Sequence, residues 1–152
     1  MGQIAGHESI GRIHEGAQGG HPEGIALMPK LLLNCLIVAG AGALGAVSRY
    51  AVSLLFAWTA FPLGTFLINL TGSFILGWFM VAFGEKVALS DPWRLAVAVG
   101  FLGAFTTFSS FMYESDKMLQ NADWLRAAAY LAGSVFLGLL AMRLGMIVGS
   151  RL

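Results

Sequence analysis

A chain of 152 residues that is 57% hydrophobic and only 11% charged, with a mean hydropathy of +0.76, falls far below the roughly 25% charged residues of soluble globular proteins, which excludes a water-soluble single domain. Nine basic against eight acidic side chains leave a net charge of +1, so there is no electrostatic footprint for nucleic acid or an acidic substrate. The single cysteine, Cys35, lies in an apolar run, makes no intrachain disulfide and reads as packing.

In chain order, residues 1–27 form a polar, Gly-rich tail carrying Glu8, Arg12, Glu15 and Glu23, with no apolar run long enough for a signal-peptide core. This composition predicts a disordered tail over 1–27 and a membrane domain over 28–152. His7, His14 and His21 recur every seven residues. The surrounding glycines oppose a stable helix that would present them together to a metal. Met28, followed by Pro29 and Lys30, is a plausible alternative start.

A spanning helix needs about 20 mostly apolar residues to cross roughly 30 Å of hydrocarbon. Four segments qualify, at about 31–58, 63–84, 93–118 and 124–149. The uncharged stretch from Arg49 to Glu85 is too long for one helix, and Pro62, suited to a first turn, divides it. Asp91-Pro92 and Asn121-Ala122-Asp123 predict the starts of the third and fourth spans by capping chemistry. Within the spans stand Gly40, Gly42, Gly45, Gly72, Gly77, Gly100, Gly103, Gly133 and Gly138. Lipid tails give helices no hydrophobic drive to associate, so small residues that let backbones approach predict close packing.

The third span differs in kind. Gly103, Thr106, Thr107, Ser109 and Ser110 cluster at membrane depth, and such residues are poorer helix formers than Ala or Leu. One reading is a break, whose freed carbonyls must be buried in protein, line a cavity or meet an ion. The other is a continuous helix whose hydroxyls bond the carbonyl one turn back. Two charges also call for an account. Arg49, well past the middle of the first span, either snorkels to the interface or lines a vestibule that gathers anions. Glu114 is either a solvated helix end or a vestibule hydrogen-bond partner.

The run GFLGAFTTFSSF (Gly100 to Phe111), with GALGAVSRY (Gly42 to Tyr50) and PLGTFLINLTGSFILG (Pro62 to Gly77), resembles the fluoride channel family called Fluc or CrcB, over about Leu31 to Ser150. The resemblance implies an all-α membrane protein of the cell (inner) membrane. Two four-helix subunits, each with its third helix broken in mid-membrane, would form an antiparallel, dual-topology homodimer. It would enclose two narrow fluoride pores and a structural sodium ion on the twofold axis. On the matching positions, the carbonyls of Gly103 and Thr106 would hold sodium. Phe108, Phe111, Asn69, Tyr130 and Ser134 would line the fluoride pathway, and Arg49 ends the first-span motif. Gly138 departs from the pattern, standing where many relatives carry a second serine.

The residues themselves fit anion passage. A dehydrated anion needs donors in place of water, and Asn69 offers an amide while Thr107, Ser110, Ser134 and Tyr130 offer hydroxyls. The positive edges of Phe108 and Phe111 add attraction without a trapping charge. Tyr130 and Ser134, four apart, share a helix face. A hard cation such as sodium takes oxygen ligands, which broken helices supply. Two other classes compete with this reading. A small proton-coupled drug exporter, resembling the small multidrug resistance family, requires a carboxylate buried in mid-membrane, whereas every Asp and Glu lies in the tail, a loop or near a span end. A structural bundle subunit leaves the track of polar side chains unexplained. No histidine lies within the spans, and no nucleophile, base and orienting group assemble into an enzyme site.

Overall fold

The computed structural model of the protein describes residues 22–83 and 91–151. Among these residues every regular element is helical: α1 (Pro22–Leu55), α2 (Leu63–Ala82), α3 (Pro92–Arg94), a π-helix (Leu95–Leu102), α4 (Gly103–Phe105), α5 (Phe108–Gln120) and α6 (Trp124–Gly149). Four stretches are long and apolar enough to cross a bilayer: Met28–Leu55, Leu63–Ala82, Pro92–Gln120 and Trp124–Gly149.

The first helix starts at Pro22, so residues 22–27, assigned above to a disordered tail, are helical; proline suits an opening turn. It closes at Leu55, ahead of the expected Trp58, which lies in a turn with its indole N–H donated to the Leu55 carbonyl at 3.0 Å. Pro62 directly precedes α2 and Pro92 opens α3. Neither Asp91 nor Asp123 caps its helix through the side chain; Asp123 pairs with Arg126 at 3.3 Å instead. Asn121 closes α5, and Ala122 turns the chain with a φ of 59°. The three tail histidines, Gly84, Glu85 and Lys86 lie outside the described residues.

Two helix pairs build the scaffold, and each runs parallel, as four alternating spans require. In the first, α2 lies against α6: a Cβ on Gly145 would overlap the Phe74 carbonyl, and one on Gly149 would stand 2.6 Å from the Trp78 carbonyl. In the second, α1 lies against the π-helix, where a Cβ on Gly45 would run into the Phe101 carbonyl and one on Gly100 would come within 2.7 Å of Ala41 Cβ. The packing role read from the glycines holds at these sites and at Gly77, set against the Met142 carbonyl, and Gly72, set against Thr106 Cγ2. It does not hold at Gly40 and Gly133, where nothing lies within 4 Å. At Gly103 the nearest atom to an added Cβ would be the Ala98 carbonyl oxygen at 3.7 Å, an ordinary contact.

Candidate functional site

The third span is broken. Thr106 (φ −74°, ψ 156°) and Thr107 (φ −147°, ψ 121°) are extended between α4 and α5. Of the two positions matched above, Gly103 is helical (φ −63°, ψ −34°) and Thr106 is extended; the extended pair is the two threonines, as β-branched side chains at φ and ψ of this kind favour. The Thr106 hydroxyl bonds back to the Leu102 carbonyl at 2.9 Å, the contact foreseen for an unbroken helix, here made on the last turn before the break.

Two side chains replace helical bonds lost at the break. Asn69, on α2, reads both backbone polar groups of Thr107: its Oδ1 accepts the Thr107 N–H at 2.8 Å and its Nδ2 donates to the Thr107 carbonyl at 2.9 Å. The Thr107 hydroxyl oxygen accepts the Ser110 N–H at 3.2 Å, capping α5, and donates to Ser110 Oγ at 3.0 Å. In a continuous helix the N–H of Thr107 would serve the Gly103 carbonyl and that of Ser110 the Thr106 carbonyl. Both donors are diverted, so the two carbonyls matched above to a cation site are among those of the last turn that lose their helical partners at the break. That fits a hard cation, which takes oxygen ligands.

Two cavities meet at Thr107. One, of about 290 Å³, is lined by Asn69, Gly103, Thr106, Thr107 and Phe108, with Ser73 among the further residues. The other, of about 310 Å³, is lined by Arg49, Tyr50, Ser53, Thr65, Thr107 and Ser110 together with Ala46. Arg49 therefore borders a hydroxyl-rich cavity beside the break.

A third group centres on Glu114. Its Oε1 accepts the Thr65 hydroxyl at 2.6 Å and its Oε2 the Tyr130 hydroxyl at 2.8 Å. The carboxylate also borders a cavity of about 410 Å³ whose wall includes Lys117, Asp123 and Arg126. Thr65 was not singled out from the sequence. Its signal was its position four residues before Asn69, on the same face of α2.

The remaining candidates divide by burial. Phe111 is 6% exposed and packs edge-to-face on Tyr130 (centroids 4.9 Å, 74°) in a cluster with Met118 and Ala127. Phe108 is 72% exposed and meets Phe111 edge-on at 6.3 Å. Ser134 Oγ is, among the described residues, a buried side-chain polar atom without a hydrogen-bond partner. At Gly138 the nearest atom to an added Cβ would be Ser73 Oγ of α2, at 4.0 Å, so the helix pair keeps a hydroxyl beside the position where α6 lacks one.

Comparison with known proteins adds the family. The model of the family described as CrcB-like protein, Camphor Resistance (CrcB), matches residues 36–146. A protein of Acidobacterium capsulatum named fluoride-specific ion channel FluC is 45% identical over 126 residues, covering 79% of this chain and 98% of that protein. One of the same name from Chloroflexus aurantiacus is 43% identical over 119 residues (76% and 94%), and one from Koribacter versatilis is 47% identical over 104 residues (66% and 82%).

Proposed function

The chain belongs to the CrcB-like family, and on that premise we propose how its residues act as a fluoride-specific ion channel, a multi-pass membrane protein that lets fluoride leave the cytoplasm passively. The observation that carries the anion pathway is Ser134. A buried hydroxyl with no protein partner costs about 1–3 kcal/mol, a cost removed when a passing ion or water takes the bond. It stands one turn from Tyr130 on α6, whose own hydroxyl, like that of Thr65, is aimed at an anionic oxygen of Glu114. Each of those two hydroxyls spends its one proton on the carboxylate, which leaves the Ser134 hydroxyl beside them open to an anion.

The path follows the donors. Fluoride gathers in the cavity walled by Lys117 and Arg126. It gives up water to hydroxyls, passes the positive ring edges of Phe111 and Phe108, and meets Ser134 and the second amide hydrogen of Asn69, whose first is held by Thr107. Neutral donors and ring edges bind weakly enough for release, which conduction requires. The carboxylate of Glu114 repels the ion when both are close, which also favours release.

The functional unit in this reading is an antiparallel homodimer. Support comes from the exposure of Phe108 and Gly103 on a single subunit. A second support is the weak basic bias: Lys30, Lys86, Arg94, Arg143 and Arg151 fall on one side and Arg49, Lys117 and Arg126 nearest the other. The Gly103 and Thr106 carbonyls of two subunits would hold a structural sodium ion. When bound, it supplies a fixed positive charge that offsets part of the cost of an anion at mid-membrane.

The test is efflux from proteoliposomes loaded in turn with fluoride, chloride and a cationic dye. Fluoride alone should leave. Dye movement coupled to protons, or an equal flux of chloride, refutes a fluoride channel. Dimerisation is read separately, by labelling a cysteine placed in the loop between the second and third spans of a Cys35-free protein in intact cells. Labelling from one face only refutes the antiparallel arrangement.

A further inference from the structure

The hydrogen bonds at the break assign Asn69 a task that pore lining does not describe. We propose that Asn69 is a positioning residue that holds the third span open and thereby sets the Gly103 and Thr106 carbonyls for the cation, so that one α2 side chain governs both the fluoride path and the sodium site. This rests on the sodium reading given above.

At membrane depth the N–H and C=O of Thr107 must find partners, because lipid offers none. In a continuous helix the N–H would go to the Gly103 carbonyl, whose capture would restore the helix and withdraw that oxygen from any ion. A carboxamide prevents this because it carries a donor and an acceptor side by side, the same pair that a peptide group presents to a neighbouring strand. Asn69 uses both on one residue, at 2.8 and 2.9 Å. With Thr107 extended, its hydroxyl is free to cap α5 through Ser110, which diverts the donor of the Thr106 carbonyl as well. The clamp thus releases both oxygens, one directly and one through the cap.

The clamp also needs a rigid anchor. Ile68, beside Asn69, is fully buried, and α2 is locked to α6 where Gly77 and Gly145 meet backbone. Gly72, one turn further along α2, leaves room for the Thr106 methyl. The same helix that carries the clamp accommodates the break it makes.

The experiment measures the thermal midpoint of the purified full chain in detergent while sodium replaces a large organic cation at constant ionic strength. Sodium that binds only the folded assembly raises the midpoint by mass action. Asn69→Ala and Asn69→Asp should each raise the sodium concentration for half-maximal stabilisation by about tenfold or more, since the carbonyls lose their set geometry. Asp keeps the acceptor for the Thr107 N–H but turns a carboxylate oxygen toward the Thr107 carbonyl, so it decides the matter where the Ala variant fails to fold. Thr71→Ala, which removes a hydroxyl bonded to carbonyls of its own helix, should leave the sodium midpoint in place. An unchanged sodium midpoint in the Asn69 variants overturns the proposal. If the unaltered protein gains no stability from sodium, the sodium reading fails. Amide exchange in protein labelled with 15N-threonine then decides the clamp alone. Thr107 exchanging about tenfold faster or more in Asn69→Ala supports it, and equal exchange overturns it.

Discussion

Replacing Tyr130 with phenylalanine tests whether the Glu114 cluster is a working hydrogen-bond unit. Tyr130 is 1% exposed, and its ring stands edge-to-face against Phe61 (5.2 Å, 81°) and Phe111 (4.9 Å, 74°). Phenylalanine keeps both ring contacts, so the substitution isolates the hydroxyl donated to Glu114 at 2.8 Å. A hydrogen bond to a charged group is worth about 1.5–3 kcal/mol. The variant should therefore be less stable by about that amount, measured by reversible unfolding in mixed micelles. Thr65→Val, close to isosteric, removes the other bond at 2.6 Å. Because both hydroxyls act on one carboxylate, the double variant should depart from additivity by about 0.5–3 kcal/mol. Fluoride efflux should fall in both single variants. A Tyr130→Phe protein within about 0.5 kcal/mol of the parent, with additive losses in the double variant, would refute the reasoning.

The two phenylalanines should separate by their burial. Phe108→Ile, at an exposed position, should cut fluoride efflux with little change in subunit stability, whereas Phe111→Ile should cut efflux and also cost about 1–3 kcal/mol because the new side chain must refit a packed cluster; normal efflux in both discards the ring-edge contribution. Gly45→Val should prevent accumulation of folded protein, since its Cβ meets the Phe101 carbonyl, while Gly40→Ala, with nothing within 4 Å, should be tolerated; expression and gel filtration check both. Gly138→Ser should fold normally beside Ser73, whose Oγ lies 4.0 Å from the new Cβ, and should keep or raise fluoride efflux; a loss of efflux would mean that this turn of α6 must stay small.

Much of this arrangement was legible in the residues, for identifiable reasons. Span number followed from apolar length alone, and Pro62 and Pro92 located two helix starts because a missing N–H has its place there. The cluster of Thr106, Thr107, Ser109 and Ser110 left a break and a continuous helix both open, because hydroxyl side chains serve either. Gly103 drew attention as the weakest helix former, yet a glycine can stay helical, whereas the extended conformation fell on the residue whose N–H and C=O a partner on another helix could satisfy. That partner lies 38 residues away in the chain, and no local propensity encodes such a meeting. The same holds for Thr65 with Glu114, 49 residues apart. Capping was over-read at Asp91 and Asp123, where a suitable residue in a suitable place makes no side-chain cap.

The placement of glycines explains why such a break is tolerable in a membrane. An interrupted helix frees four carbonyls and four N–H groups that lipid cannot satisfy, so the flanking segments must be held by something other than their own ladder. On one flank the π-helix is held by α1, which Gly45 and Gly100 bring to backbone contact. On the other, α5 packs its Phe111 and Met118 against Ala127 and Tyr130 of α6. Between them, α2 supplies Asn69 and is itself fixed to α6 through Gly77 and Gly145. Each half of the broken span is thus held by a different neighbour, and α2, joined to the second of these, bridges the gap. A donor set fixed in this way suits a small, strongly hydrated anion, because donors that hold their positions do not have to be reorganised each time an ion passes.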